Sequence, residues 1–183
     1  MYPEYAEING KQYKLNTSWQ NALECFDIIN DATICDYERA VAIIYKIFGF
    51  IPENDFDEFL KKAEIFLSCG ETQEQQKAKE KDMDFNQDRK YILASFMSDY
   101  KIDLSKQDMH FWEFIDLIQG LTNECSLSNL RQLRSFDVSQ IKDEKERRKI
   151  IEAQKRVALK ETHIKTEEEE EIDEFWNKIT GGE

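Results

Sequence analysis

The spacing of apolar residues divides the chain into one short hairpin followed by amphipathic helices. Residues 7–15 alternate around Asn9-Gly10, a dipeptide that accepts the positive φ angles of a tight two-residue turn. We therefore predict a two-stranded hairpin there. From Thr17 onward the apolar residues recur every three or four positions, which is the helical period. Only two prolines and six glycines interrupt the chain, so few positions disfavour helices.

Three helices are predicted before residue 70. The first begins at a capping box formed by Thr17 and Gln20, the second runs from Asp36 to Gly49, and the third ends at Gly70. Apolar spacing predicts one apolar side of the second helix, formed by Tyr37, Val41, Ile44, Tyr45 and Phe48. The next two apolar residues, Phe50 and Ile51, are predicted to pack at the corner that follows the helix.

The second half of the chain repeats the helical pattern after an interruption. Residues 71–81 contain no large apolar side chain and are predicted to be a linker or a fully solvated helical turn. Residues 85–100 and 105–121 each carry an apolar stripe, the latter with Ser105 as its N-cap. A basic helix over 141–160, capped by Asp137, follows. The predicted fold is mainly α: a compact multi-helix bundle over 1–140 with a small N-terminal hairpin, the basic helix, and an acidic tail over 161–183.

Charge and cysteine content narrow the function classes. The formal net charge of −13 argues against a nucleic-acid surface, which needs clustered Lys and Arg, and favours a basic partner. The four cysteines are widely spaced without a C-x-x-C pair, so we expect free thiols in a reducing compartment. No window approaches the roughly 18 apolar residues of a membrane span. We expect no nucleic-acid partner and no membrane contact.

Candidate chemistry centres on His110, which lies between Met109 and Phe111. Its position on a helix places it near Leu117 and Leu121, and no nucleophile or carboxylate has the spacing of a catalytic partner. We predict a packed, hydrogen-bonded structural histidine. Residues 82–93 resemble the start of a calcium loop but lack its glycine and its final glutamate. We therefore expect no catalytic residue, no metal site, no cofactor and no enzymatic activity.

The last 42 residues separate into two blocks of opposite charge. Residues 142–160 hold eight basic and four acidic side chains, a net charge of +4. Residues 161–183 hold nine acidic and two basic ones, a net charge of −7, including the run of Glu167 to Glu171. One interpretation of this tail is a solvating, unstructured segment. The alternative is a short amphipathic segment able to dock on a partner or on the basic helix, through Ile172, Phe175, Trp176 and Ile179.

Residues 90–159 resemble the bacteriophage "gene product fifteen" family of long-tailed phages that infect Gram-positive bacteria. The resemblance rests on Ser95-Phe96, Tyr100-x-Ile102-Asp103-Leu104, Met109-His110-Phe111-Trp112-x-Phe114, Gly120-Leu121 and the basic pair Arg131-x-x-Arg134. Its core positions are Phe96, Tyr100, Ile102, Leu104, Met109, His110, Phe111, Trp112, Phe114 and Leu121. Arg131 and Arg134 are candidate partner contacts.

The resemblance implies a non-enzymatic tail-assembly chaperone in the host cell cytoplasm. Such a protein would bind tape measure protein, keep its long helices soluble and support assembly of the tail tube. The major tail protein is a second expected partner, and a homo-oligomer is the expected state. The alternative is a structural component that is retained in the finished tail.

Overall fold

The computed structural model describes residues 2–71 and 82–160. The described residues are mainly helical, and a small antiparallel hairpin precedes the helices, as predicted. The strands are β1 (Tyr5–Ile8) and β2 (Lys11–Lys14). The helices are α1 (Trp19–Ile29), α2 (Asp36–Phe48), α3 (Phe56–Leu67), α4 (Arg89–Asp99), α5 (Phe111–Gln119), α6 (Ser126–Ser135), a short 3₁₀ helix (Val138–Gln140) and α7 (Glu144–Val157).

The hairpin turns at the predicted dipeptide. Asn9 and Gly10 have φ angles of 50° and 75°, the left-handed pair that a two-residue turn of this type requires. Tyr5 pairs with Lys14, and Ala6 pairs with Tyr13. Because side chains alternate along a strand, Tyr5 and Tyr13 lie on opposite faces of the hairpin.

Helix α2 ends where the sequence predicts but buries a different face. Gly49 closes it with a φ angle of 79°, and the Gly49 N–H donates to the carbonyl of Tyr45. The buried residues are Arg39, Ala40, Ile43, Ile44, Ile47 and Phe48. Tyr37 and Tyr45, which the sequence pattern assigned to the core side, are exposed. That part of the prediction is wrong, because α2 carries two apolar arcs and only one of them packs inward.

Arg39 explains part of that rotation. Its guanidinium is buried and donates to the backbone carbonyls of Ile28, Asp31 and Ile34, at 3.4, 2.9 and 3.2 Å. The same group pairs with the Asp36 carboxylate. One side chain therefore satisfies the open carbonyls at and after the end of α1, which a helix C-terminus otherwise leaves unpaired.

Two predicted helix starts are displaced in the first and middle parts of the chain. Helix α1 begins after Ser18, not at Thr17, and its first N–H, from Trp19, donates to the Met109 carbonyl at 3.1 Å. Helix α5 begins at Phe111, because residues 104–106 form a separate turn in which the Ser105 hydroxyl bonds the Asp103 carboxylate. Ser105 is therefore not the N-cap of α5. The N–H of Phe111 donates to the Thr17 carbonyl at 2.7 Å instead.

The basic helix is shorter than predicted. Asp137 caps the 3₁₀ helix, and Asp143 caps α7 by accepting from the N–H of Glu146 at 2.9 Å. The predicted cap at Asp137 is therefore wrong for the basic helix, which begins at residue 144. Gln154 holds α7 to α6 by donating to the carbonyls of Leu133 and Phe136, at 3.0 and 2.7 Å.

The chain forms two compact units. In the described residues, the first unit comprises 2–71 and 109–114, and the second comprises 82–108 and 115–160. The basic helix belongs to the second unit together with α4 and α6, so the predicted bundle over 1–140 is shared between two units. The predicted linker, except residue 71, and the acidic tail lie outside the described residues. Among the helices described, none has the length and apolar character needed to cross a membrane.

Candidate functional site

The family-motif residues are divided between the two units. Met109, His110, Phe111, Trp112 and Phe114 belong to the first unit, whereas Phe96, Tyr100, Ile102, Leu104 and Leu121 belong to the second. Phe96, Leu104, Phe111 and Phe114 are fully buried. These four residues build the interiors of their units.

His110 is a structural histidine, as its packing and hydrogen bonds show. Its Nδ1 accepts from the backbone N–H of Trp112 at 3.0 Å, which places the ring proton on Nε2, 2.9 Å from the carbonyl oxygen of Pro3. The ring stacks on Tyr2 with centroids 5.1 Å apart. Both ring nitrogens therefore bond the backbone, and the imidazole satisfies an N–H at the start of α5. The predicted hydrogen bonding is seen, but the predicted helical position beside Leu117 and Leu121 is wrong, because His110 precedes α5 and its ring lies on Tyr2.

Trp112 is half-buried beside the end of α3. Its indole N–H donates to the carbonyl of Phe66 at 2.8 Å, and the two rings stack with centroids 6.4 Å apart. The hydrogen bond fixes one edge of the ring to α3, and the stacking fixes its face. Trp112 therefore ties the first turn of α5 to α3 inside the first unit.

Tyr100 and Gly120 form a matched pair in the second unit. The Tyr100 hydroxyl donates to the Leu117 carbonyl at 2.9 Å, and a Cβ added at Gly120 would lie 2.9 Å from that hydroxyl oxygen. Only glycine leaves room for the bond. Burial raises the pKa of Tyr100, and the neighbouring Asp99 carboxylate adds to that effect.

The two motif arginines have different surroundings. The side chain of Arg134 is 9% exposed and donates two hydrogen bonds, of 2.6 and 2.7 Å, to the Asp88 carboxylate. The Asp88 side chain is 1% exposed. It also donates to the carbonyls of Val157 and Asp82, and the Asp88 carboxylate raises its pKa. Arg131 pairs with Asp82 at 2.7 Å and is 36% exposed. The guanidinium of Arg134 is therefore bonded within its own unit, while that of Arg131 is partly accessible to solvent. A partner contact by either arginine stays a prediction.

The first unit carries apolar surface that sequence reasoning assigned to its core. Tyr37 is 70% exposed and stacks on Phe56 with centroids 5.9 Å apart. Phe56 lies one turn before Phe59 on α3. Phe59 in turn contacts three rings edge-on, those of Phe48, Phe50 and Tyr13, at 4.9, 5.6 and 4.8 Å. We call these six residues the aromatic cluster: Tyr13, Tyr37, Phe48, Phe50, Phe56 and Phe59.

The aromatic cluster has buried and exposed members. Phe48 and Phe59 are buried, whereas Phe50 is 39% exposed and the adjacent Ile51 is more exposed still. Contiguous exposed apolar surface marks interaction sites, whereas exposed apolar residues that are scattered singly are ordinary. The sequence signal for this exposed surface is a second apolar arc on α2. One apolar arc is enough to pack a helix against a core, so a second arc indicates apolar residues at the surface.

Acidic side chains border the aromatic cluster. Their positions are on the first turn of α2, in the loop before α3 and on the first turn of α3, and all are exposed: Glu38, Glu53, Asp55, Asp57 and Glu58. Acidic residues in a helix's first turn are favoured by its dipole, which accounts for part of this pattern. These five carboxylates, which we call the acidic rim, lie close to the cluster residues in sequence, while the exposed Lys14 lies next to Tyr13. They suit a partner whose apolar face is flanked by basic residues.

The remaining candidate groups in the described residues are the thiols and the clusters of acidic side chains. Cys25, Cys35 and Cys125 are free thiols, and burial raises the pKa of Cys25 to about 12, so that thiol is inert. Within residues 2–71 and 82–160 no cluster of three or more His, Cys, Asp or Glu has the arrangement of a metal site. The candidate partner contacts Ile172, Phe175, Trp176 and Ile179 lie outside the described residues.

Comparisons with known proteins identify a family. Neither the curated proteins nor the solved structures give a match. A family model described as bacteriophage Gp15 protein matches residues 2–159, which extends the resemblance from residue 90 back through the hairpin and the first three helices. The chain therefore belongs to the bacteriophage Gp15 protein family.

Proposed function

We propose that this protein is a non-enzymatic phage tail-assembly chaperone that binds tape measure protein and supports assembly of the tail tube. It acts in the host cell cytoplasm and self-associates, and the major tail protein is a second candidate partner. The observation that carries the proposal is the exposed aromatic cluster with its acidic rim, on a chain of the bacteriophage Gp15 protein family.

The chemistry of the aromatic cluster suits an amphipathic helix. Rings from β2, α2, the α2–α3 loop and α3 form two groups of contacts, Tyr37 with Phe56 and Phe59 with its three neighbours, and each group has one exposed member, Tyr37 and Phe50. An amphipathic helix lays its apolar side chains on such a surface. The acidic rim disfavours acidic segments and attracts basic ones. A long, sticky phage protein rich in amphipathic helices is a partner of this kind.

A binding role also agrees with the position of His110. Both its nitrogens bond backbone groups that hold α5 in place, which leaves no ring nitrogen for a substrate. The acidic charge elsewhere on the chain keeps a protein with exposed rings soluble.

Co-expression with the tape measure protein of the same phage tests the proposal. We expect the tape measure protein to remain soluble and to co-purify with this chain, and to aggregate when it is expressed alone. If it aggregates equally in both cases, the proposed chaperone activity is wrong.

Mass spectrometry of purified virions separates assembly factor from tail component. The proposal predicts that this chain is absent from virions or far below the amount of major tail protein. A fixed stoichiometry in the virion would instead support the structural alternative.

A further inference from the structure

Helix α7 has a second side that the second unit covers only in part. The helix packs on α6 and the 3₁₀ helix, where Ile150 lines the space between them and Gln154 bonds α6. No residue of α7 is buried. Ile151 lies about 100° around the helix axis from Ile150 and is only half-buried. The side of α7 centred on Ile151 therefore keeps apolar surface that a partner can cover.

Two unpaired cations flank Ile151. Arg147 and Lys155 lie four positions before and four positions after it, each one helical turn away on the same side. Both are exposed, and neither forms an ion pair with a carboxylate within residues 2–71 and 82–160. The whole helix holds six basic and three acidic side chains. We call Arg147, Ile151 and Lys155 the basic side of α7.

One segment of the first unit has the opposite charge. Phe50 and Ile51, between α2 and α3, are 39% and 54% exposed. Four members of the acidic rim follow within seven positions, and all are exposed: Glu53, Asp55, Asp57 and Glu58. Lys61 and Lys62 lie one turn further along α3, but in the described residues no ion pair joins either lysine to these carboxylates. Residues 50–58 therefore combine exposed apolar side chains with uncompensated negative charge.

The two units also differ in total charge. Among the described residues, the first unit holds fourteen acidic and six basic side chains, a net charge of −8. The second holds thirteen acidic and fourteen basic ones, a net charge of +1, with α7 itself at +3. Oppositely charged surfaces steer two molecules together and set their orientation. The basic side of one copy is therefore attracted to the first unit of another, whereas two basic sides repel each other.

We infer that the basic side of α7 binds the 50–58 segment of a second copy of this chain. The inference deepens the self-association in the proposed function by naming the two surfaces that meet. The two cations face the carboxylates, and Ile151 packs beside Phe50 and Ile51. A nucleic acid, the other common ligand of a basic helix, is disfavoured by the net charge of −13 on the whole chain.

The contact is heterologous, because the two surfaces that meet are different parts of the chain. A pair of copies still presents one unused basic side and one unused 50–58 segment, so association either closes into a ring or continues as an open chain. Phe50 also belongs to the aromatic cluster. If the proposed function is right, a second copy and tape measure protein therefore compete for the same surface.

Sedimentation velocity of charge-reversed chains tests the contact. The wild-type chain should self-associate at micromolar concentration, and less so as salt is raised, because salt screens exposed charges. Two double variants should each weaken association by at least about tenfold: Arg147→Glu with Lys155→Glu, the basic-side variant, and Glu53→Lys with Glu58→Lys, the acidic-segment variant. Circular dichroism should show both variants folded.

Mixing the two variants separates this contact from any other. In either variant alone, the basic side and the 50–58 segment carry like charges. The mixture restores one unaltered contact, since the acidic-segment variant keeps its basic side and the basic-side variant keeps its 50–58 segment. We expect a complex that contains both variants in equal amounts, with a dissociation constant within about threefold of the wild-type value.

The double substitution Lys11→Glu with Lys90→Glu is the matched control. It changes the net charge by the same amount as the basic-side variant, and both lysines are exposed. Neither lysine forms an ion pair in the part of the chain that the structure describes. Association should change by less than about threefold.

Three results would each overturn the inference: a wild-type chain that stays monomeric, variants that do not associate when mixed, or a control that loses as much association as the basic-side variant. The experiment contains no tape measure protein, so its failure does not affect the co-expression test. Aggregation of tape measure protein in that test likewise leaves the mixing result unchanged.

Discussion

The two units of this protein use different interactions and leave different surfaces open. In the first, aromatic rings pack against one another around Phe66, Phe111 and Phe59, and the surplus reaches the surface as the aromatic cluster. In the second, polar side chains bond buried backbone and carboxylates, with the Arg134–Asp88 pair at the centre. The first unit therefore exposes apolar surface that a partner could contact, whereas the polar groups of the second unit are already bonded within the fold.

The difference explains why the motif residues do not mark one site. The family motif contributes Phe111 and Trp112 to the aromatic packing of the first unit, and Tyr100 and Arg134 to the polar bonding of the second. In both units these residues are structural. The candidate binding surface on the first unit is built by other residues.

Removing Arg134 should produce the largest effect. Arg134→Ala leaves the Asp88 carboxylate buried without its partner, so we expect a loss of about 3 to 5 kcal/mol in the free energy of unfolding. Arg131→Ala is the matched control, because its pair with Asp82 is partly exposed and should contribute below about 1 kcal/mol. Urea denaturation measures both, and equal losses would contradict the assignment of Arg134 to the centre of the second unit.

Trp112→Ala should come next. The ring is half-buried, stacks on Phe66 and donates to its carbonyl, so we expect a loss of about 2 to 3 kcal/mol, below the range for fully buried tryptophan. Trp112→Phe keeps one aromatic ring but removes the N–H and the second fused ring, and should lose about 1 to 2 kcal/mol. Unchanged urea midpoints for Trp112→Ala would refute its structural role.

Gly120→Ala should destabilise the second unit by about 1 to 2 kcal/mol, because the new methyl group clashes with the Tyr100 hydroxyl. In Tyr100→Phe the hydroxyl is absent, so adding Gly120→Ala should then cost less. A double-mutant cycle in thermal melts measures this coupling. Additive losses would mean that a methyl group at residue 120 does not meet the Tyr100 hydroxyl, contrary to the 2.9 Å between that oxygen and an added Cβ.

Glu64 gives the smallest expected effect, and a pH-dependent one. Burial raises the pKa of its carboxyl from 4.5 to about 7, although Lys61 opposes the shift, and Oε1 has no hydrogen-bond partner in the described residues. Between about pH 4.5 and 7 the unfolded chain has released this proton while the folded chain retains it. Stability due to Glu64 therefore falls as pH rises through that window.

Glu64→Gln removes that dependence. We expect a higher melting temperature than wild type at pH 8 and no gain at pH 4, whereas Glu58→Gln, exposed on the same helix, should show no such pH-dependent gain. A gain of equal size at both pH values would mean that the substitution acts through packing rather than through the proton.

The sequence predicts local features well where one or two residues decide them. The Asn9-Gly10 turn, the end of α2 at Gly49 and the end of α3 before Gly70 follow from backbone conformations that glycine or asparagine adopts easily. The hydrogen bonding of His110 was also predictable, because the surrounding residues are apolar, although its position before α5 was not.

The failures occur where distant residues decide. Helix α5 starts at Phe111, whose N–H donates to the Thr17 carbonyl, 94 positions away in the sequence. The residues near Ser105 carry no information about this distant acceptor. The face of α2 is set by Arg39, which bonds carbonyls of the preceding segment. The exposure of Tyr37 follows from that choice, so the aromatic cluster could not be located from helical spacing alone.

The most direct test of the proposed function is a binding comparison between two sets of exposed aromatic side chains. The double substitution Tyr37→Ala and Phe50→Ala removes the two exposed rings of the aromatic cluster. The control Tyr5→Ala removes an exposed ring from the face of the hairpin opposite to Tyr13. After co-expression with the tape measure protein, we predict at least about a tenfold loss of co-purified partner for the double variant, with little loss for Tyr5→Ala. Circular dichroism should show both variants folded at the temperature of the assay. Equal retention by the two variants would contradict the assignment of partner binding to the aromatic cluster.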